Sequence, residues 1–302
     1  MLALAVGGCS TPKQGPFMPS IFSTFDVKPG PTVRINEDGV PEIKPWSTNE
    51  FTANPTTVAQ WGLGAAARYA VSSSDADRDI MRRASDWLVK VQQPNGGFPL
   101  TFNHIHPDPN GYRLMAPWYS AISQANGISL LVRTYQETAD KRYLETAVKA
   151  LDLLDIPLEQ GGLQGRIDGG IWFEETPDAA SPNHIFNGSI FALLGINDLY
   201  RATGNEKAWR LWMDGTESLR RNLNKFIVRE SPEDPTLPMP WSIYELKQYG
   251  EPKKPHYLTD FYMGIHIKLM REMAERTGQV YYTTVADLWE KSMGEYLKTH
   301  PK

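Results

Sequence analysis

The feature that most constrains this chain is a punctuated helical repeat, which starts near Pro55 and recurs about every sixty to seventy residues. Each unit is a strongly apolar helix, a tight turn, and a second helix that is apolar on one side only. The turns read Thr138-Ala139-Asp140, Thr203-Gly204-Asn205 and Thr277-Gly278-Gln279, with Ser72-Ser73-Ser74-Asp75 as a looser fourth. Gly204 and Gly278 suit the left-handed position that ends a helix, and an Asp or Asn just after can cap the next one. The second helices, 143–151, 208–212 and 282–289, space apolar residues by three and four, as one-sided packing requires. The first helices, 122–132 and 185–199, are apolar around most of their circumference, which suits an inner ring packed on both faces. Four such hairpins predict an all-α fold, an incomplete (α/α) toroid, and argue against a simple bundle.

In a toroid of this kind the connections between successive hairpins gather at one end of the inner ring. Here those connections are 94–117, 156–183 and 226–257. Loops longer than about fifteen residues inside a compact domain are usually functional or disordered. These hold Gly, Trp, Tyr, Glu and His, so they are the expected place of a site.

Ahead of the repeat the chain reads differently. Residues 1–9 end an apolar run at Cys9, the only cysteine, in the manner of a bacterial lipoprotein signal. Cys9 is the expected lipidation point, and a membrane-anchored, periplasm-facing envelope protein follows from it. Residues 10–48 are rich in Pro and Gly. They read as a tether with a small β-hairpin turning at Asn36-Glu37-Asp38-Gly39. Residues 49–302 form the expected toroid catalytic domain. A single cysteine excludes an intrachain disulfide, and a net charge of −4 argues against a nucleic-acid partner. Nine Trp and thirteen Tyr supply flat rings with polar edges, which suit sugar stacking.

Five stretches, in order, carry a likeness to a known family. They are Pro55 to Leu63 with Gln92 to Pro99, Trp118 to Ala125 leading into Ile128 to Tyr135, and Trp172 to Pro177. The fourth is Asn187 to Phe191 with Leu194 to Leu199, and the fifth is Ile243 to Leu246 with Tyr262 to Ile267. Together they resemble the helical domain of the D-glucuronyl C5-epimerases over about residues 55 to 298. The resemblance implies a uronic-acid polysaccharide as substrate, with no cofactor. It assigns Tyr244, Tyr262 and Glu175 to catalysis. It also puts this chain's Thr176 where the family has a third tyrosine, and Met263-Gly264-Ile265 where it has His-Thr-Thr.

The chemistry can be stated without the family. The C5 hydrogen of a uronate is only weakly acidic, so inversion needs a base on one face and an acid on the other. Donors must also meet the enediolate-like charge that develops on the carboxylate. A phenol with its ordinary pKa near 10 must fall about three units, roughly 4 kcal/mol, to act as a base at neutral pH. A neighbouring Lys or Arg is the expected cause.

Around that centre, Trp118 and Tyr119 are candidates for stacking on sugar. His184, Asn187, Glu174 and His266 are candidates for binding it, with Arg166, Lys247, Lys253 and Lys254 as cations for polymer carboxylates. Asn187 opens a helix, and a helix N-terminus favours an anion. His104-Ile105-His106 with Asp108 is too sparse a pattern to mark a metal. The same residues leave other outcomes open. A lyase would use the same intermediate. A toroid hydrolase would pair a carboxylate from Glu174/Glu175 with Asp168, Glu245 or Asp260. A lipid-anchored binding protein of a polysaccharide export or assembly system would do no chemistry.

Overall fold

The computed structural model describes residues 27–45, 48–230, 236–250, 253 and 255–301. Cys9 and Lys254 lie outside them. Among the described residues the fold is mostly helical, an (α/α) toroid of four hairpins that leaves the ring incomplete. The inner helices are α1 (Pro55–Ser72), α3 (Ala121–Thr138), α6 (Phe186–Thr203) and α8 (Asp260–Thr277). The outer ones are α2 (Asp75–Val91), α4 (Lys141–Ala150), α7 (Glu206–Asn222) and α9 (Val280–Thr299). A single turn, α5 (Asp152–Asp155), follows α4.

Local chemistry explains the helix limits. Asn54 caps α1 by accepting from the Thr57 amide, and Pro55 occupies the first helical position, where its missing N–H costs nothing. Asp140 and Asn205 cap α4 and α7 through the Arg142 and Ala208 amides. All four intra-hairpin turns place one residue in the left-handed region: Ser73 (φ 52°), Ala139 (57°), Gly204 (72°) and Gly278 (69°). Two of them manage it without glycine, so the turn geometry is imposed by the packing of the helix pair and not by glycine alone.

The middle of the ring is α3 and α6. Residues 121–134 and 186–199 of these helices are buried on every side, which accounts for their apolar circumference. Close approach needs a missing side chain: a Cβ on Gly195 of α6 would stand 2.3 Å from the Ala125 carbonyl of α3. α8, at the open side, buries one stripe only.

Each hairpin is preceded by a two-stranded antiparallel ribbon. These are β1 (Val33–Ile35) with β2 (Pro41–Ile43), and β3 (His104–Ile105) with β4 (Arg113–Leu114). They continue with β5 (Gln164–Ile167) and β6 (Gly170–Phe173), then β7 (Ile227–Val228) and β8 (Trp241–Ser242). The long connections expected as loops thus carry the last three ribbons. They meet at the N-terminal ends of the inner helices.

Candidate active site

At that end lies a cavity of about 490 Å³. The β3–β4 ribbon lends His104, His106, Pro107 and Tyr112 to its lining. Glu175 and Thr176 come from the chain leaving β6, Ile185 from the entry to α6, and Tyr244 and Glu245 from the chain after β8. Residues 256–259 and Tyr262 complete it.

Backbone hydrogen bonds fix these contributors. Tyr244 donates its amide to the His256 carbonyl and accepts the Phe186 amide, both at about 2.8–2.9 Å, so it is tied on both sides. The Ser120 hydroxyl donates to the Glu175 carbonyl at 2.6 Å, which pins the end of β6 to the start of α3. Thr259 caps α8 and places Tyr262 in its first turn. Beside the β3–β4 ribbon, His106 stacks on Tyr249 at 3.9 Å, and the Gly250 amide donates to Asp108.

Glu175 is the acid of the cavity whose titration the fold shifts upward. Its carboxyl lies against the first turn of α6 at Gly188, where a Cβ would come within 2.3 Å of Oε2. Burial, and then the charges of Glu245 and Glu174, push its pKa up to about 7. Its Oε2 has no hydrogen-bond partner among the described residues. Tyr244 and Tyr262 touch edge to face, with ring centroids 5.4 Å apart at 79°. Burial and the Glu175 charge raise both phenols, and Tyr262 and Glu245 raise Tyr244 further. The expected cation is therefore replaced by carboxylates. Among the described residues lining the cavity there is no Lys or Arg. These phenols are held protonated, suited to donating a proton and not to accepting one.

Glu175, Tyr244 and Tyr262, drawn from separate segments, share this cavity. Several other candidates lie elsewhere. His266, one turn below Tyr262, is wholly buried against Phe186 and Trp289, and its Nδ1 is 2.9 Å from the Ser242 hydroxyl. Burial lowers its pKa to about 3, so it is a neutral core histidine and not a substrate ligand. Glu174 is fully buried and braces His184, accepting its backbone amide at 3.2 Å and meeting its Nδ1 at 2.7 Å. That brace holds His184 at a φ of 55°. Asn187 is buried in the first turn of α6, outside the lining.

Tyr119 packs on Gly97, where an added Cβ would strike its ring, and it does not line the cavity. Trp118 stacks behind His104 at 5.5 Å and donates its indole N–H to the Phe102 carbonyl. Its position buttresses the cavity wall. Arg166 is exposed on β5, and Lys247 lies over the Tyr249 ring; neither lines the cavity. Thr176 is buried, and its hydroxyl accepts from the Asn183 side-chain amide, which in turn accepts from the Tyr249 hydroxyl.

Tyr112, His104 and His256 were not singled out from sequence as acid–base candidates. The signal available was their place in two of the three long connections, both dense in aromatics.

Comparison with known proteins bears on this arrangement. The model of the family described as D-glucuronyl C5-epimerase C-terminus matches residues 92–291. A D-glucuronyl C5-epimerase of Caenorhabditis elegans is 28% identical over 220 residues, 68% of this chain and 33% of the worm protein. An uncharacterized protein of Methanocaldococcus jannaschii is 28% identical over 184 residues, 60% of this chain and 54% of its own. The chain thus spans a third to a half of the length of these relatives.

Among solved structures, a family 76 α-mannanase of Bacteroides thetaiotaomicron superposes with a TM-score of 0.52 at 13% identity, covering 83% of this chain and 61% of its own. A family 76 mannosidase from the same organism gives 0.50 at 15%, covering 84% and 62%. Those likenesses concern the fold. The match over 200 consecutive residues, the cavity included, concerns the lineage: this chain belongs to the family of the D-glucuronyl C5-epimerase C-terminus.

Proposed function

We propose that the protein inverts C5 of D-glucuronate, or a related uronate, within a polysaccharide, without a cofactor. The observation that carries this reading is a carboxyl with a pKa near 7, Glu175, sharing one cavity with the protonated phenols of Tyr244 and Tyr262. A group poised near neutrality is the most effective proton acceptor at neutral pH. Glu175 takes the C5 proton, and the electron pair of that bond moves onto the substrate carboxylate as an enediolate. Tyr244 and Tyr262, on one wall, donate hydrogen bonds to that charge. Family membership supports the substrate class.

Incubation with glucuronate polymers in heavy water tests this. The expected result is deuterium at C5 of the inverted sugar. Absence of deuterium from every uronate polymer tried would overturn the reading. An absorbing unsaturated uronate would mark a lyase instead.

A hydrolase has one observation in its favour, since Glu175 and Glu245 both line the cavity. New reducing ends without ultraviolet absorbance would establish it. Polymer binding with no turnover would leave a binding protein of a polysaccharide export or assembly system. The Cys9 sequence supports a lipid anchor in the bacterial envelope, facing the periplasm. Fatty-acid labelling lost in Cys9→Ser tests that.

A further inference from the structure

A uronate inside a polymer carries a sugar on each side, and both neighbours have to leave the cavity across its rim. Part of that rim is the entry to α8. Residues 256–259 and Tyr262 line the cavity, and Tyr262 is still 38% exposed. Phe261, beside it in the first turn of the helix, is 65% exposed. Its ring meets the Tyr262 ring edge to face, with centroids 5.5 Å apart at 85°. Tyr262 meets Tyr244 in the same manner at 5.4 Å. Three rings in contact thus lead from the cavity wall to the surface.

In its first two turns α8 buries Met263, His266 and Ile267. These lie roughly 140–240° around the helix from Phe261, at about 100° per residue, so the phenyl is turned away from the core. At Gly264, one turn on and on the Phe261 face, an added Cβ would meet nothing within 4 Å. The surface next to the phenyl is open to another molecule. A single exposed apolar side chain needs no explanation, but this one continues the aromatic wall of a cavity. Trp118 and Tyr119, the rings expected to stack on sugar, are engaged instead with His104 and Gly97.

Resting on the epimerase reading, we propose that Phe261 is a binding platform for the sugar bonded to the reacting uronate, and that the polymer crosses the rim over the first turn of α8. The axial C–H bonds of a pyranose form an apolar face, and a flat ring of similar size takes that face out of water. What is recognised is the pyranose ring and not its charge. Phe261 does not line the cavity, so its contact is the same before and during proton transfer. Such a contact contributes to affinity and not to the chemical step.

The test separates affinity from rate. Wild type, Phe261→Ala, Phe261→Tyr and Phe261→Trp, matched by thermal melts, are compared for C5 exchange of a glucuronate polymer in heavy water over a range of substrate concentrations. Phe261→Ala should raise KM about tenfold, the order expected for uncovering part of a phenyl ring. Its kcat should stay within about twofold of wild type. Phe261→Tyr and Phe261→Trp keep a flat ring and should hold KM within about twofold. In Phe261→Trp the polymer should also change the indole emission beyond the change seen in wild type.

A KM that rises less than about threefold in Phe261→Ala, or a kcat that falls in step with it, overturns the platform while exchange by wild type keeps the epimerase standing. Emission from Phe261→Trp that ignores the polymer does the same. No deuterium with wild type removes the epimerase reading, and the emission measurement then still decides whether polymer lies over residue 261.

Discussion

The molecule buries carboxylates at both ends of its inner ring, and the two ends treat them in opposite ways. At the turn end, Asp198 of α6 is fully buried between two guanidiniums. Arg133 of α3 is 2.7 Å from one of its oxygens and Arg276 of α8 is 2.9 Å from the other. Ser129 adds a hydrogen bond at 2.8 Å. Burial alone would raise that carboxyl, yet the paired cations win and hold it below the usual range. At the ribbon end, Glu175 has carboxylates for neighbours and is driven up to about 7. The same chemical group is a fixed charge in one place and is driven toward neutrality in the other. What differs is the sign of the charge that the fold brings beside it.

The largest test of that contrast is chemical. Glu175→Gln should reduce C5 exchange by about 10²–10⁴-fold, the usual reach of a general base, with the fold retained. Exchange rates that survive the change would return Glu175 to a structural part. At the other end, Arg276→Met removes one partner of a buried pair and should lower unfolding free energy by about 3–5 kcal/mol in denaturant titrations. Activity per folded molecule should persist. If activity fell and stability did not, the two ends would not be separate in role.

Gly188→Ala sits between these effects. A Cβ there meets the Glu175 side chain at 2.3 Å. The Glu175 carboxyl must shift, so exchange should drop about tenfold or more for a stability cost of about 1–3 kcal/mol.

The smallest effect is a pH dependence. A carboxyl raised from 4.5 to about 7 on folding stabilises the native state while protonated. That contribution is complete below pH 4.5 and is lost as pH rises to about 7. Wild type should therefore lose stability across that window relative to Glu175→Gln. Parallel curves would mean that the acid is not perturbed.

Much of the fold could be read from the chain because it is written in local periodicity. The apolar circumference of 185–199 and the capping residues Asp140 and Asn205 are short-range signals, and the structure uses them as such. The β5–β6 ribbon was also legible, through Asp168-Gly169, a hairpin-turn dipeptide whose residues take φ of 44° and 78°. The reading of 156–183 as a plain connection leaves that dipeptide unused. The site was legible as to which segments would form it, since Tyr244, Tyr262 and Glu175 do share one cavity. Their electrostatics were not. Whether a phenol meets a lysine or a glutamate depends on contacts between residues seventy apart, such as Glu175 and Tyr244, and no local pattern records them. His266 failed as a ligand for a related reason: one helical turn beyond Tyr262 is far enough to leave the cavity and enter the core.

One helix, α8, carries Tyr262 in its first turn and Arg276 in its last. It reaches the ribosome exit after the other inner helices, and until it docks Asp198 lacks its second counter-charge and the cavity lacks Tyr262. Docking of this one helix consequently completes the charge cluster at one end and the cavity lining at the other. A copy with α8 undocked lacks both the second Asp198 clamp and a finished cavity, so integrity at one end reports on integrity at the other.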